Sequence, residues 1–554
     1  QPTYWRRVDE YQENAQPVLT GGWAIPTKKY DKNDPDLLEK DLDKCLVVLR
    51  ELYYKQDDVV PSWHNIVYLD IEIEMGGALT FEYMASAPMP VTSIALIDVT
   101  TKQKICLILD KTGDIKETNQ DSKHIIPCGT EKELLKRFLD KLEELDPTII
   151  CGYNSEYFDI PYLYFRLKQI VGEEEMLRLS PIKKVDYRDF AGTHQITIGG
   201  VNHLDYMLLH KKYIMKEEPS YKLGDIGEKY VGLGKIEYEG NLNTLFKNDL
   251  NTFIDYNLRD VEIIEALESK LKFIDLTIMI SHICNIPYES IYWNTVMNEG
   301  AILKYLRREG IVSPNKPTTH NPSLKNINLT YAGGYLLEPI PGLYFDVIDL
   351  DFTSLYPSII KSLNLGIETL IGRIKVQHNA TYEQNHSLEK LKERDPNEEV
   401  TIEKLDKINY TLKSAKIKLG TLINLIEKND YTIAASGAIF DTSEQSICSK
   451  ILQGWFEKRE HYRALKKKAG KAEDWTNYKL YDLFQHAFKI LQNAMYGTYA
   501  KNGWRYTDGH LICSAAITNS GQRLTMSTID FVNDKINNEY LQLNKDELIA
   551  KFNL

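Results

Sequence analysis

The stretch VIDLDFTSLYPSII, residues 347–360, decides how the chain is read. From Val347 to Phe352 apolar and acidic residues alternate with a period of two. This predicts a strand with Ile348 and Leu350 facing a core and Asp349 and Asp351 on the opposite face. Two carboxylates at the end of a buried strand are costly to desolvate unless a cation or a donor compensates them. The alternation breaks at TSLYPSII, where Thr353 or Ser354 is placed to cap a helix whose apolar positions are Leu355, Ile359 and Ile360. Acids at a strand end followed by free backbone N–H groups suit a metal-bound triphosphate; an exposed Asp at an ordinary strand-to-turn junction fits the same residues.

Around this stretch lie 554 residues, 43% hydrophobic and 26% charged, the profile of a soluble globular protein with three or more domains. No apolar run reaches membrane-spanning length, and the start QPTYWRRVDEYQ lacks a signal-peptide core. The first residue is Gln1 rather than Met, so the chain is expected to begin inside a longer polypeptide or after processing. Seven cysteines without a CxxC spacing read as reduced thiols, with neither a zinc site nor a disulfide framework. A net charge of −12 argues against a uniformly basic nucleic-acid-binding surface but leaves room for a local basic groove.

Asn33-Asp34-Pro35 followed by DLLEKDLDKCLVVLRELYYK predicts an amphipathic helix of about five turns. NIVYLDIEIEM, 65–75, reads as a strand with Asp70, Glu72 and Glu74 on one side, where aligned acids repel unless a cation joins them. Farther on, TIICGYNSEYFDIPYL predicts a strand, a turn and Asp159 at a helix start. VDYRDFAGTHQITIGG, 185–200, predicts a hairpin turning near Gly192. FIDYNLRDVEII predicts a helix with Tyr256 and Asp260 one turn apart on one face. Lys222 in PSYKLGDIGEKY lies between these segments, either near a phosphate or as a plain surface lysine. The stretch 270–320 reads as helical, with Trp293 and nearby tyrosines in a core.

Residues 386–430 are charged and nearly free of Gly, with apolar residues at spacings of three and four from Ile402 to Ile426; they predict a helical hairpin inserted at 380–430. Next, DTSEQSICSKILQGWFEKREHYRALKKKAGK predicts a helix with Arg459 and Arg463 one turn apart, Lys458 being the alternative register. A second helix aligns Lys489, Asn493 and Tyr496 at i, i+4 and i+7.

Several of these strings resemble motifs of the family B DNA polymerases, with replicative polymerases of large tailed bacteriophages the nearest likeness. Asp351, Ser354, Leu355, Tyr356, Pro357 and Ser358 resemble the first polymerase motif. Lys489, Asn493, Tyr496 and Gly497 resemble the second, and YAGGYLLEP, with Tyr331, Gly333 and Gly334, resembles the YxGG link. Asp70 with Glu72, Asp159, and Tyr256 with Asp260 resemble the three motifs of the DnaQ-like 3′–5′ exonucleases.

The resemblance implies an α/β and α+β multidomain protein: a ribonuclease H-like exonuclease domain, a partial polymerase palm and helical fingers. The expected division is a portion of an N-terminal domain at 1–64, the exonuclease 65–272, a helical return 273–320, palm 321–445, fingers 446–502 and further palm 503–554, without the thumb. It implies two Mg2+ or Mn2+ ions per active site, held by Asp70, Glu72, Asp159 and Asp260 in one centre and by Asp351 in the other. Tyr256 would orient the attacking water, and Tyr356 would exclude a sugar 2′-hydroxyl. Arg459, Arg463 and Lys489 would grip the triphosphate. Tyr331 and the two glycines would meet template, and Tyr496 and Gly497 the nascent base pair. The partners implied are primer-template DNA, dNTPs, a sliding clamp and other replisome proteins, in the cytoplasm of an infected bacterial host.

One departure qualifies this. The third polymerase motif, Tyr, one residue, then Asp-Thr-Asp-Ser, is not found before Leu554; Phe440-Asp441-Thr442-Ser443 is the nearest string and precedes the fingers. The expectation is an N-terminal portion that needs a C-terminal portion, in the same chain or a second one, to polymerise. The rival readings are a standalone 3′–5′ exonuclease with a vestigial polymerase half and a non-catalytic single-strand DNA-binding module.

Overall fold

The computed structural model describes residues 4–552 apart from 57–62, 75, 191, 215, 327–330, 346, 348, 376–385 and 502. The chain divides into two compact units, one of residues 59–279 with 288–292, the other of residues 1–58, 280–287 and 293–554.

The first unit is built on a seven-stranded mixed sheet. Its spatial order is Asn202–Asp205, Ile149–Gly152, Ile66–Ile73, Val91–Asp98, Lys104–Leu109, Lys123–Cys128 and Thr118–Gln120. The first three strands run parallel, and Ile66–Ile73 pairs antiparallel with Val91–Asp98, setting Asp70 opposite Ala95 and Glu72 opposite Ser93. One face of Ile66–Ile73 is sealed: Leu69 and Ile71 join a core with Leu134, Phe138, Leu139 and Leu163. The other face leaves Asp70 and Glu72 half-buried, the period-two pattern read from the sequence. Glu74 lies just past the strand end.

The helix Leu250–Leu271 lies over this acidic face. Asp249 caps it by accepting the Thr252 N–H, and its apolar stripe includes Phe253, Leu258, Val261 and Leu267. The expected hairpin forms from Val185–Phe190 and Thr193–Ile198, with Gly192 at φ +78° in the turn.

In the second unit, the helix expected from Asp34 is shorter. Leu37–Leu38 is instead a buried strand beside Tyr4–Val8, and the helix runs Lys44–Tyr53, capped by Asp43. Asp43 accepts from the Cys45 and Leu46 N–H groups, so the helix starts where a cap has donors to meet. The expected helical hairpin is corrected too. Glu399–Asp406 and Thr411–Lys418 form a β-hairpin, and the first of these extends a five-stranded sheet by pairing with Leu370–Ile374. Helix begins at Leu419, where Leu419, Leu422, Ile423 and Ile426 are buried. The three-and-four spacing describes that helix, but the β-rich run Val400-Thr401-Ile402 has a sheet edge to join, which overrides local periodicity. Trp293 is 54% exposed rather than core. It stands just before helix Asn294–Glu309, outside its buried stripe.

No strand forms at 347–352 among the described residues; Val347 and Leu350 are 76% and 63% exposed, and Ile348 lies outside the described residues. A strand is a pairing, and no described segment offers this one a hydrogen-bonding ladder. The helix that follows runs Leu355–Leu363 with Ile359 and Ile360 buried and Leu355 half-buried. Ser354 precedes it in the left-handed region, φ +55°, without a side-chain capping bond.

The helices Ile447–Lys471 and Trp475–Thr498 pair along their length, and Ile512–Phe531 leads into the terminal helix Lys545–Phe552. Arg505 ties distant parts of this unit together. Its fully buried guanidinium meets Asp41 at 2.5 Å, Glu299 at 2.8 Å and the Pro314 carbonyl at 3.0 Å. Arg505→Met strands two carboxylates and is expected to cost about 3–5 kcal/mol of stability, read as a lower urea midpoint. None of the seven cysteines forms a disulfide, and six of them are buried. Among the described residues no helix is long and apolar enough to cross a membrane.

Candidate active site

Strand Ile66–Ile73 and helix Leu250–Leu271 together bring three carboxylates to one point. Oxygen atoms of Asp70, Glu72 and Asp260 lie within 4.8 Å of one another, the one group of three or more such ligands among the described residues. The strand supplies Asp70 and Glu72 by its period of two, and the helix supplies Asp260 one turn after Tyr256. Asp159, at the start of helix Asp159–Ile170, is buried beside them, and its Oδ1 accepts the Ile71 N–H at 2.9 Å.

Three side chains that the sequence reading missed complete the centre. Lys235 reaches Asp260 Oδ2 at 2.5 Å and the Tyr256 hydroxyl at 3.2 Å. Asn257 donates to Asp70 Oδ2 at 2.7 Å, and Ser93 donates to Asn257 Oδ1 at 2.5 Å. Asn257 stands three residues before Asp260, a helical spacing that a search for polar partners finds. Lys235 lies in an irregular segment with no periodic signal. Lys222 is exposed before helix Leu223–Val231.

The electrostatics are those of a cation site. Burial, then Asp260, pushes the Glu72 carboxyl to about 8. Burial pushes Asp159 to about 7 against the lowering effect of the Ile71 N–H, and raises Asp70 further through burial, Asp260, Asp159 and Glu72 in that order. Burial also raises Asp260, against Lys235, whose own ammonium is lowered by burial but raised overall by Asp260, Tyr256 and Asp70 together. Asp260 Oδ1 is buried without a hydrogen-bond partner. An all-oxygen donor set with an unmatched buried oxygen fits a hard divalent cation such as Mg2+ or Mn2+.

A stability prediction follows. Carboxyls raised above their unfolded values near 4 bind protons more tightly when folded, so the metal-free protein loses stability as pH rises from about 4 to about 8. At pH 8.5 in EDTA, Asp70→Asn with Glu72→Gln is expected to raise the melting temperature, by about 2–4 °C per kcal/mol relieved. Added Mg2+ should raise the wild-type value and leave the variant unmoved. Equal responses of the two proteins would contradict this.

In the second unit Tyr356 is half-buried. Its ring centroid lies 4.5 Å from that of Tyr496 at 44°, and a Cβ on Gly521 would come within 2.8 Å of its Cε1. A Cβ on Gly334 would stand 3.3 Å from its hydroxyl, and Gln522 donates to the Gly333 carbonyl at 2.6 Å. Tyr331 is close enough to raise the Tyr356 phenol, after burial and Tyr496. The structure therefore gathers Tyr331, Gly333, Gly334, Tyr356 and Tyr496, with Gly521 and Gln522 as members that sequence reading did not name. Gly497 has open space where a Cβ would stand.

Arg459 is half-buried, with Nη1 3.4 Å from Gln492 Oε1 and a buried Nε lacking a partner. Arg463, close enough to lower the Arg459 guanidinium after burial, pairs with Glu460 at 2.7 Å. Lys489 is exposed, and both it and Arg459 lie near His486, whose imidazole is lowered by burial first and then by Lys489. Asn493 is half-buried on the same helix. Asp349 and Asp351 are exposed and belong to no cluster of three ligands among the described residues.

Comparison with known proteins agrees with both halves. The family model "DNA polymerase family B, exonuclease domain" matches residues 38–226, ending before Lys235, Tyr256 and Asp260, and "DNA polymerase family B" matches residues 292–552. A DNA-directed DNA polymerase of Escherichia phage RB69 is 34% identical over 255 residues, 45% of this chain and 28% of that protein. One of Enterobacteria phage T4 is 31% identical over 279 residues, 49% of this chain and 30% of that protein. DNA polymerase 1 of Aeropyrum pernix is 28% identical over 326 residues, 55% of this chain and 32% of that protein. The chain thus matches about a third or less of the length of these relatives. With two models of one family matching residues 38–226 and 292–552, most of its length, the chain belongs to the family B DNA polymerases.

Proposed function

We propose that this chain is the N-terminal portion of a replicative phage DNA polymerase that carries a 3′–5′ proofreading exonuclease and works in an infected bacterial cell. The observation that supports it most is the convergence of Asp70, Glu72 and Asp260 beside Asp159, Tyr256 and Lys235. When bound there, divalent ions supply Lewis-acid stabilisation of the scissile phosphate and a water-derived nucleophile. The chain's own residues do the rest. Asp70, Glu72, Asp159 and Asp260 fix the donor geometry, and Asn257 holds the Asp70 carboxylate in orientation. The Tyr256 hydroxyl, held by Lys235, orients the attacking water. The Lys235 ammonium adds a positive charge beside the anionic substrate.

In the polymerase half, Arg459, Arg463 and Lys489 hold the triphosphate of the incoming dNTP. Tyr356, backed by Gly521 and Tyr496, leaves no room for a 2′-hydroxyl. Tyr331, Gly333 and Gly334 contact template and Tyr496 with Gly497 the new base pair, while Ser354, Leu355 and Asn493 shape the nucleotide site. Asp351 provides one carboxylate for synthesis. We read the described residues of 347–352, exposed and without a ladder, as the docking edge for a strand from the C-terminal polymerase portion, which brings the further carboxylate. A sliding clamp and other replisome proteins complete the partners.

That Asp351 is exposed and in no ligand cluster among the described residues, while the exonuclease carboxylates converge within their own unit, also favours a second reading, a standalone exonuclease. A strand labelled at its 3′ end tests the first requirement. Loss of label in Mg2+ but not in EDTA is expected, and an unchanged label would sink both readings. Primer extension after addition of a C-terminal portion then separates them.

A further inference from the structure

The helix that carries Asp159 does not hold its own start. Phe158 stands at the cap position of Asp159–Ile170 without a side-chain capping bond, and the Ile160 N–H goes back to the Ser155 carbonyl at 3.1 Å. Where Asp159 stands therefore depends on the loop 153–158 before it. That loop is folded tightly against the strand of Asp70. A Cβ on Gly152 would come 2.6 Å from Ser155 Cβ and 2.8 Å from the Leu69 carbonyl oxygen, and Asn154 takes the left-handed region at φ +61°.

The loop is pinned from the neighbouring strand Asn202–Asp205, whose period of two puts His203 and Asp205 on one face. Asp205 is 1% exposed. Its Oδ1 accepts the N–H groups of Met207 at 2.9 Å and Leu208 at 3.2 Å, which caps helix Tyr206–Tyr213, and also that of Asn154 at 3.1 Å. Its Oδ2 accepts the Glu156 N–H at 3.0 Å. A helix cap needs one oxygen, which Ser or Asn would supply, so the second carboxylate oxygen serves the loop. His203, also buried, places Nε2 2.9 Å from the Ser155 hydroxyl and Nδ1 3.1 Å from the Glu156 carboxylate. Behind them the Tyr292 hydroxyl accepts the Asp205 N–H at 2.8 Å, and the Glu289 carboxylate accepts the His203 N–H at 3.3 Å. Burying an acid and an imidazole is costly, and these bonds offset the cost while fixing Asn154, Ser155 and Glu156 in a row.

We propose that Asp205 and His203 are positioning residues of the exonuclease centre, holding loop 153–158 so that Asp159 stands against Asp70 and Glu72. They act through Asp159 and are too buried to meet a DNA strand. The proposal rests on the exonuclease reading of the four carboxylates.

Asp205→Asn tests it with little damage elsewhere. The Asn Oδ1 keeps the bonds to Asn154, Met207 and Leu208, and its amide replaces only the oxygen that faces the Glu156 N–H. His203→Leu removes both loop contacts, whereas His203→Gln keeps a donor and an acceptor there. In the full chain, Asp205→Asn and His203→Leu are each expected to slow Mg2+-dependent shortening of a 3′-labelled strand roughly 10- to 100-fold at unchanged KM. Each should also weaken Mn2+ binding in a calorimetric titration about tenfold, with His203→Gln near wild type in both measurements. In a chain already carrying Asp159→Asn, adding Asp205→Asn should change neither rate nor Mn2+ affinity, because a residue acting through another is not additive with it. A further loss in that background, or wild-type rate and Mn2+ affinity in both Asp205→Asn and His203→Leu, overturns the proposal. A wild-type chain that binds Mn2+, loses affinity in Asp205→Asn and shortens no strand would retire the exonuclease reading and keep the positioning role. A wild-type chain that neither binds Mn2+ nor shortens a strand removes both.

Discussion

Asp70→Ala is expected to slow the Mg2+-dependent shortening of a 3′-labelled strand by roughly 10³-fold, the scale on which removing one member of a catalytic group acts. Asp70 is the residue to change because its carboxylate faces Glu72, Asp159 and Asp260 together, and Asn257 fixes its direction. The loss should exceed that of Lys235→Ala, which leaves every carboxylate in place. Adding Glu72→Ala to Asp70→Ala should cost little more, because residues that act as a unit are not additive. A melting temperature at or above the wild-type value in EDTA would separate lost chemistry from lost fold. Full shortening activity in Asp70→Ala would remove the carboxylate centre from the reaction.

Asp351→Asn is expected to lower primer extension by about 10³-fold in the polymerase assembled with its C-terminal portion, while 3′-end shortening stays at its wild-type rate. The separation follows from architecture: Asp351 and the exonuclease carboxylates belong to different compact units. The 554 residues alone should extend no primer in Mg2+ with all four dNTPs. Extension by the isolated chain would mean that Asp351 finds its further ligands within it. Unchanged extension by Asp351→Asn in the assembled enzyme would favour the standalone exonuclease.

How much of this is legible in the sequence depends on whether a feature is local. Asp70 and Glu72 follow from a period of two, Tyr256 and Asp260 from a helical turn, and the turn at Gly192 from its flanking strands. Arg459, Lys489 and Asn493 fall on the long paired helices that their periodicity implies. Lys235 is invisible because it reaches Asp260 from an irregular segment 25 residues away, and irregular segments have no repeat. Residues 399–418 mislead because three-and-four spacings also occur by chance in a hairpin whose partner strand, Leu370–Ile374, lies far back in the chain. The run Val347–Phe352 carries a strand's alternation, but pairing is a property of two segments.

The exposed apolar residues leading into that run have a consequence for the life of the protein in the cell. Leu336, Leu337, Ile340, Leu343, Phe345 and Val347 all face solvent on backbone with no ladder among the described residues. Such surface invites non-specific self-association, and its burial by a specific neighbour removes the hazard. A chain on which this surface stays uncovered becomes a client for chaperones and proteases.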